Sequence, residues 1–199
     1  MQGMQSALLN KLLWHTEKDI NLTEDEVIES SLWQATIYAA FQRAKVYETG
    51  AENSEKKGVK KTLKKEINKR LSEYANPVTD NVHVKNIAAI AKAIDKKWSK
   101  SLDNGSIPIG VVQKAFNLYL KLMWCLGIIP EPPHCPLDKV IIDMLPCKHR
   151  KSWTKIRDIK IYKALVKELV YEHFRFLKGV LNLLINIGRV EFKSKDKQS

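Results

Sequence analysis

The chain has few of the residues that break helices or build strands. It contains 8 glycines and 7 prolines in 199 residues, and apolar and polar residues seldom alternate as they do in half-buried strands. Its 3 cysteines are too few and too scattered for a disulfide framework, and the N-terminal segment has no secretory signal pattern. We therefore expect a helical protein of a reducing, cytoplasmic compartment.

Long hydrophobic runs and a balancing negative charge are also missing. Lys, Asn or Arg interrupts every apolar segment well before the roughly 20 residues of a membrane-spanning helix, so we expect no membrane partner. Basic residues number 34 against 22 acidic ones, which gives a net charge of +12. Such a balance favours a polyanionic partner, with nucleic acid first, and association with the nucleoid if the source is prokaryotic.

Helical periodicity dominates what remains. It predicts an all-α bundle of about seven or eight helices, with Thr23 and Glu26 as a capping box at the start of one of them. We expect a single domain over 1–199, with 1–102 and 103–190 as potential lobes flanking a cleft and 191–199 as a disordered tail. The predicted helices cover 5–14, 24–47, 58–74, 82–102, 110–126 and 158–188.

Two clusters of basic residues are candidates for phosphate contacts. The predicted helix 58–74 has an apolar stripe at every fourth residue and lysines on its other faces, and a second basic run follows Pro146. A solvated helix face is the plain interpretation, and a salt-sensitive nucleic-acid surface is the functional one. The expected contact residues in the two clusters are Lys60, Lys61, Lys64, Lys65, Lys148, Arg150 and Lys151.

The predicted helix 110–126 is apolar nearly all round, which is typical of a central helix. Its exceptions include Lys114, Asn117 and Lys121, whose spacing places them on one narrow face. A partly buried lysine loses charge solvation and can act as an amine nucleophile, although a snorkelling lysine is the alternative. Downstream, Asp138 occupies an N-cap position, where a carboxylate is either a plain cap or a fixed functional group.

Residues 109–142 together resemble the helix-hairpin-helix superfamily of DNA glycosylases, which includes the 8-oxoguanine and adenine-mismatch enzymes. In that family a glycine-bearing hairpin leads into a helix that carries a lysine in some members, and a later Pro-x-Asp or Val-Asp element supplies an aspartate. Here Ile109–Lys114 is similar to the hairpin and Pro136–Asp138 to the aspartate element, with one glycine where the family usually has two.

The resemblance implies an enzyme that excises a damaged or modified base from DNA, with or without strand cleavage at the abasic site. Lys114 would be the amine nucleophile and Asp138 the essential carboxylate, acting on a base flipped out of the duplex. Backbone N–H groups near Gly110 would hold a phosphate. We expect a monomer without cofactor or metal, with further DNA contacts at Gln113 and Asn117 and base stacking at Trp124 or Trp153.

Other interpretations of the chain remain open. His134, Cys135, Cys147 and His149 have the ligand types of a zinc site but no common spacing, and a Cys–His nucleophile pair has no third group. A helical DNA- or RNA-binding protein without catalysis would use the same basic surface. A partner-binding helical protein whose charge provides solubility is the third interpretation.

Overall fold

The structure is a computed structural model, and it describes residues 23–146 and 150–172. Within these ranges there is no strand, only an isolated antiparallel bridge between Tyr47 and Leu102, and the all-α class is confirmed. No helix in the same ranges has the length and apolar character needed to cross a membrane. The helices are α1 (Glu24–Phe41), α2 (Asn53–Asn68), α3 (Asp80–Trp98), α4 (Ile109–Cys125), α5 (Lys139–Asp143) and α6 (159–172).

The start of α1 is the predicted capping box. The Glu26 N–H donates to Thr23 Oγ1 at 3.4 Å, and the Thr23 N–H donates to Glu26 Oε2 at 2.9 Å, so two N–H groups of the first turn are satisfied. The helix ends at Phe41, six residues before the predicted end. The predicted helix 5–14, the tail 191–199 and everything beyond residue 172 lie outside the described residues.

The helix α2 begins earlier than its sequence suggested, and Gly58 lies inside it. Glu52 is the N-cap, and its N–H donates to Glu55 Oε2 at 2.8 Å, forming a second capping box in a stretch predicted to be a loop. The indole of Trp98 on α3 packs against Gly58, where any Cβ would overlap it. Trp98 Nε1 also donates to Thr62 Oγ1 at 2.9 Å, so the glycine permits the close approach of α2 and α3.

One continuous apolar cluster forms the core, and α4 lies at its centre. Residues on every side of the first two-thirds of α4 are buried, which confirms that it is the central helix. It packs against α1, α3 and the 3₁₀ turn Trp153–Lys155. The fully buried apolar residues of α4 are Val111, Val112, Ala115, Phe116 and Leu120.

The turn before α4 is anchored by charged groups from two other parts of the chain. Asp95 Oδ1 accepts a hydrogen bond from the Ile107 N–H at 2.7 Å. Arg157 Nη1 donates to the carbonyl oxygens of Asp103 and Ser106 at 3.0 and 2.9 Å, and its Nη2 pairs with the Asp103 carboxylate. These contacts fix the position of the first turn of α4, from which the candidate site is built.

Candidate active site

The first turn of α4 lies against the backbone that leads into α6. A Cβ at Gly110 would overlap the carbonyl oxygen of Trp153, so only glycine allows this approach. The Gly110 N–H donates to the Ile156 carbonyl at 2.9 Å, and the next two N–H groups donate to the Pro108 carbonyl at 3.0 and 3.2 Å. These donors are therefore all used within the protein, which corrects the expectation that Gly110 and its neighbours hold a phosphate.

Lys114 is a buried cation without a neutralising partner among the described residues. Only 8% of the residue is exposed, and Nζ is 4.2 Å from the centroid of the Trp153 ring. Burial lowers the pKa of Lys114, Arg43 lowers it further, and Asp138 opposes the shift. A largely buried lysine without an ion pair loses charge solvation at a cost, and groups with shifted pKa values concentrate at functional sites.

Asp138 is the N-cap of α5, as its sequence position predicts. Its Oδ1 accepts a hydrogen bond from the Ile141 N–H at 3.1 Å, which fixes the carboxylate at the positive end of this short helix. The carboxylate is close enough to oppose the fall in the pKa of Lys114, although the two side chains form no ion pair. The structure therefore brings the lysine and the aspartate into one region.

Gln113 holds the segment that carries Asp138. Its Nε2 donates to the Leu137 carbonyl at 2.8 Å, and its Oε1 accepts from the Leu137 N–H at 3.0 Å, so one side-chain amide pairs with both backbone polar groups of Leu137. Nε2 also donates to the Gly110 carbonyl at 2.9 Å. Because Gln113 is fully buried and its amide is saturated, it positions Asp138 and has no free group for DNA.

Asn117 is the centre of a buried polar network. Its Nδ2 donates to the Cys135 carbonyl at 3.1 Å, to the Tyr162 hydroxyl at 3.1 Å and to Gln113 Oε1 at 3.2 Å. Its Oδ1 accepts from His83 Nε2 at 2.8 Å. Like Gln113, Asn117 is fully buried, so the expected direct contact with DNA is replaced by a structural role.

His83 is a neutral member of the same network. Since Nε2 donates to Asn117, Nδ1 must accept, and the Tyr74 hydroxyl donates to it at 2.7 Å. Burial, with a smaller effect from His134, lowers the pKa of His83 to about 4. The His83 ring also stacks on Phe116 with a centroid distance of 5.4 Å, which places a polar group inside the apolar core of α4.

A basic pocket of about 330 Å³ opens beside Trp153, the residue that covers Lys114. The one carboxylate in its wall, Asp143, pairs with Lys139. Arg150 Nε donates to the Leu145 carbonyl at 2.8 Å. The predicted contact Lys148 lies outside the described residues. The cationic residues of the pocket wall are Arg43, Lys139, Arg150 and Lys151.

The lysines of α2 divide into two rows. Lys60 Nζ lies 5.6 Å from the Phe41 ring centroid, and Lys64 Nζ is 2.9 Å from Glu29, so the row facing α1 is already partnered. Lys61 and Lys65 are exposed and have no ion-pair partner among the described residues. Of the four α2 lysines predicted to contact phosphates, these two therefore remain the better placed.

The two candidate stacking residues have different positions. Trp153 is 3% exposed and lies over Lys114, at the edge of the basic pocket. Trp124 is 41% exposed near the C-terminal end of α4, ten residues after Lys114 and hence about 15 Å away along the helix axis. Trp124 is therefore too far from the lysine to stack on a base that Lys114 attacks.

The proposed zinc ligands are only partly described. His134 is buried, and its Nδ1 is 2.7 Å from the Tyr162 hydroxyl, while the neighbouring Cys135 side chain is exposed. Cys147 and His149 lie outside the described residues. Among the residues that are described, no three His, Cys, Asp or Glu side chains are close enough to share a metal ion.

Sequence reasoning missed two parts of the site. Arg43 follows α1 in a turn and reaches the pocket from a segment that the pattern assigned to helix. His83 and Tyr162 gave no signal because each is a single polar group in an amphipathic helix, and their pairing depends on the tertiary structure. Asn117 did give a signal, since an amide on an otherwise apolar helix requires a buried partner.

Comparison of the chain with protein-family models, with curated proteins and with solved structures finds no match.

Proposed function

We propose that the protein is a DNA glycosylase that removes a damaged or modified base from duplex DNA. The observation that carries the proposal is the largely buried, unpaired Lys114 near the capped carboxylate of Asp138. Trp153, which covers Lys114, belongs to the wall of a basic pocket. A structural lysine would pair with the nearest carboxylate or extend its ammonium group into water. Lys114 pairs with no carboxylate among the described residues, and only 8% of the residue is exposed to water.

Lys114 supports the proposal through its protonation state. An amine attacks carbon only when it is neutral, and the burial that lowers the pKa of Lys114 increases the neutral fraction near neutral pH. The nitrogen lone pair would bond to C1′ of the flipped nucleotide while the glycosidic bond breaks. The base would leave with the bonding electrons and take up a proton.

Asp138 supports the glycosylase proposal through its fixed negative charge. Positive charge develops on the sugar as the glycosidic bond breaks, and a carboxylate held by a helix N-terminus is already oriented to stabilise it. After attack by Lys114, opening of the sugar ring would give a Schiff base. Removal of a C2′ proton would then form a C2′–C3′ double bond and expel the 3′ phosphate, which cleaves the strand. Attack by water would leave an intact abasic site.

The surroundings of the pair suit a nucleic acid. Arg43, Arg150 and Lys151 line the adjacent pocket and would contact phosphates. Trp153 is only 3% exposed, so its role here is to cover Lys114 and not to stack on a base. The exposed Lys61 and Lys65 on α2 give further cationic surface. The same residues would support a nucleic-acid-binding protein without catalysis, which is the alternative proposal.

The test is a panel of duplex oligonucleotides, each with one damaged or modified base, incubated with the protein and borohydride. We expect a covalent adduct that Lys114→Gln abolishes and that the control Lys121→Gln retains, because Lys121 is exposed two turns further along α4. Asp138→Asn should lose base release while remaining folded, since asparagine caps a helix as well as aspartate does.

Two results would contradict the glycosylase proposal. One is salt-dependent DNA binding with no base release and no adduct on any duplex, which would favour the non-catalytic alternative. The other is base release that survives both Lys114→Gln and Asp138→Asn, which would place the chemistry elsewhere. Alkali-labile sites without an adduct, lost in Asp138→Asn, would indicate a glycosylase that uses water.

A further inference from the structure

A second pocket, separate from the basic one, lies between the start of α3 and α6. Its volume is about 380 Å³, and none of its lining residues also lines the pocket beside Trp153. Its wall is mainly apolar and includes Val84, Val166 and Val170. Its polar and charged side chains include Asp80, His134, Lys163 and Lys167.

His134 presents an unused hydrogen-bond donor to this pocket. The Tyr162 hydroxyl accepts from Asn117 Nδ2, so its own proton goes to His134 Nδ1 at 2.7 Å. Neutral His134 must then carry its proton on Nε2. That atom is fully buried without a hydrogen-bond partner, in a residue that is 5% exposed, and the nearest acceptor, Asp80 Oδ1, is 3.6 Å away. A buried donor of this kind calls for an acceptor.

The charges around the donor favour an anion as that acceptor. Lys163 and Lys167 are exposed and have no ion-pair partner in the described part of the chain. The first turn of α3 contributes Asp80 and Asn81 to the pocket wall, and its N-cap Thr79 makes no side-chain cap, so the positive end of this helix lies near the pocket. Asp80 opposes an anion, and its carboxylate also raises the pKa of His134 against the larger effect of burial, but the Asp80 side chain is 78% exposed.

We propose that this pocket binds a small organic carboxylate with a branched aliphatic body. The carboxylate would accept the His134 Nε2–H and pair with Lys163 and Lys167, and the aliphatic body would pack on Val84, Val166 and Val170. The apolar wall favours this ligand over inorganic phosphate, which has no apolar part to bury. The site is independent of the glycosylase proposal, because it shares no residue with Lys114, Asp138 or the basic pocket.

The experiment is a titration of the full chain with 4-methylpentanoate, followed by the ¹⁵N-imidazole resonances of His134. We expect saturable shifts in the millimolar range, with acetate weaker by about fourfold for each buried methylene that it lacks. The double variant Lys163→Gln, Lys167→Gln should weaken binding by about tenfold or more. The matched control Lys160→Gln, exposed on the same helix, should bind as the unsubstituted chain does.

The variant Asp80→Asn distinguishes a ligand-binding site from a simple contact between His134 and Asp80. It should tighten carboxylate binding about threefold, because it removes a negative charge a few ångströms from the anion. Three outcomes would overturn the proposal: His134 resonances that do not respond at tens of millimolar ligand, a response that is unchanged in the double lysine variant, or phosphate or acetate binding as tightly as 4-methylpentanoate.

Discussion

Acidification should destabilise the fold through His83 before most carboxylates take up protons. Burial lowers the pKa of the His83 imidazole from 6.5 to about 4, so the folded state prefers the neutral ring. The unfolded chain binds a proton near its ordinary pKa, whereas the folded chain resists until the pH is much lower. The stabilisation by neutral His83 is therefore complete above the unfolded pKa and is lost as the pH falls towards 4.

The size of the loss of stability follows from the lowered pKa of His83. Between about pH 7 and about pH 5 the unfolded histidine becomes almost fully protonated while the folded one stays neutral, which corresponds to a loss of about 2 kcal/mol. His134 is also buried with a lowered pKa, so it adds to the loss in the same direction. A small domain commonly has only about 5–15 kcal/mol of stability, so the change is a sizeable fraction.

The assay is urea unfolding followed by tryptophan fluorescence, repeated at several values of pH in this interval. His83→Gln keeps a donor at the position of Nε2, which bonds Asn117, but it cannot titrate. The variant should be less stable near neutral pH and should lose less stability on acidification than the unsubstituted chain. The remaining slope reports His134 and the other groups.

Two results would refute this reasoning. One is a free energy of unfolding that does not change from about pH 7 to about pH 5. The other is an imidazole resonance of His83 that titrates in the folded protein near the ordinary histidine pKa. Either would mean that the ring is solvated, and that the hydrogen bonds from Tyr74 and to Asn117 do not hold it neutral.

Two further substitutions test the hydrogen bonds of Gln113 and the packing of α2 against α3. Gln113→Leu leaves the backbone N–H and C=O of Leu137 unpaired, so it should cost about 3 kcal/mol and lower the thermal midpoint seen by circular dichroism. Gln113→Glu should cost less at a pH where the glutamic acid is protonated and can still donate to the Leu137 carbonyl. Gly58→Ala should destabilise by about 1–3 kcal/mol in urea unfolding, although alanine normally favours a helix interior, because the new methyl group meets the Trp98 indole; a stabilised variant would contradict this contact.

Much of the helical framework could be predicted from local patterns. The capping box at Thr23 fixes the start of α1 because the two hydrogen bonds join residues three apart. The end of the same helix could not be predicted, since the segment after Phe41 contacts a distant part of the chain: the Asp103 N–H donates to the Val46 carbonyl at 3.0 Å, and Lys45 forms an ion pair with Asp103 at 2.8 Å. That ion pair joins residues far apart in sequence, which no periodicity reports.

The candidate site could be predicted only in part for the same reason. Lys114 and Asp138 could be predicted from the sequence, because Lys114 is a charged residue on an apolar helix and Asp138 is in an N-cap position. The roles of Gly110 and Asn117 could not be predicted from the sequence. Gly110 makes room for a carbonyl group and Asn117 bonds four partners, but in the sequence they look the same as residues that face a ligand. Arg43 gave no signal, since an arginine in a turn is usually solvated.

The separation between Lys114 and Asp138 is 24 residues, and the loop after α4 accounts for most of it. A loop of that length does not by itself position a carboxylate, because the cost of closing it changes only slowly with length. The Gln113–Leu137 amide pair provides the position instead: it bonds the residue before Lys114 to the residue before Asp138 through two hydrogen bonds. The loop can therefore be long and irregular while the lysine and the carboxylate keep one geometry, and the glutamine is the residue on which that geometry depends.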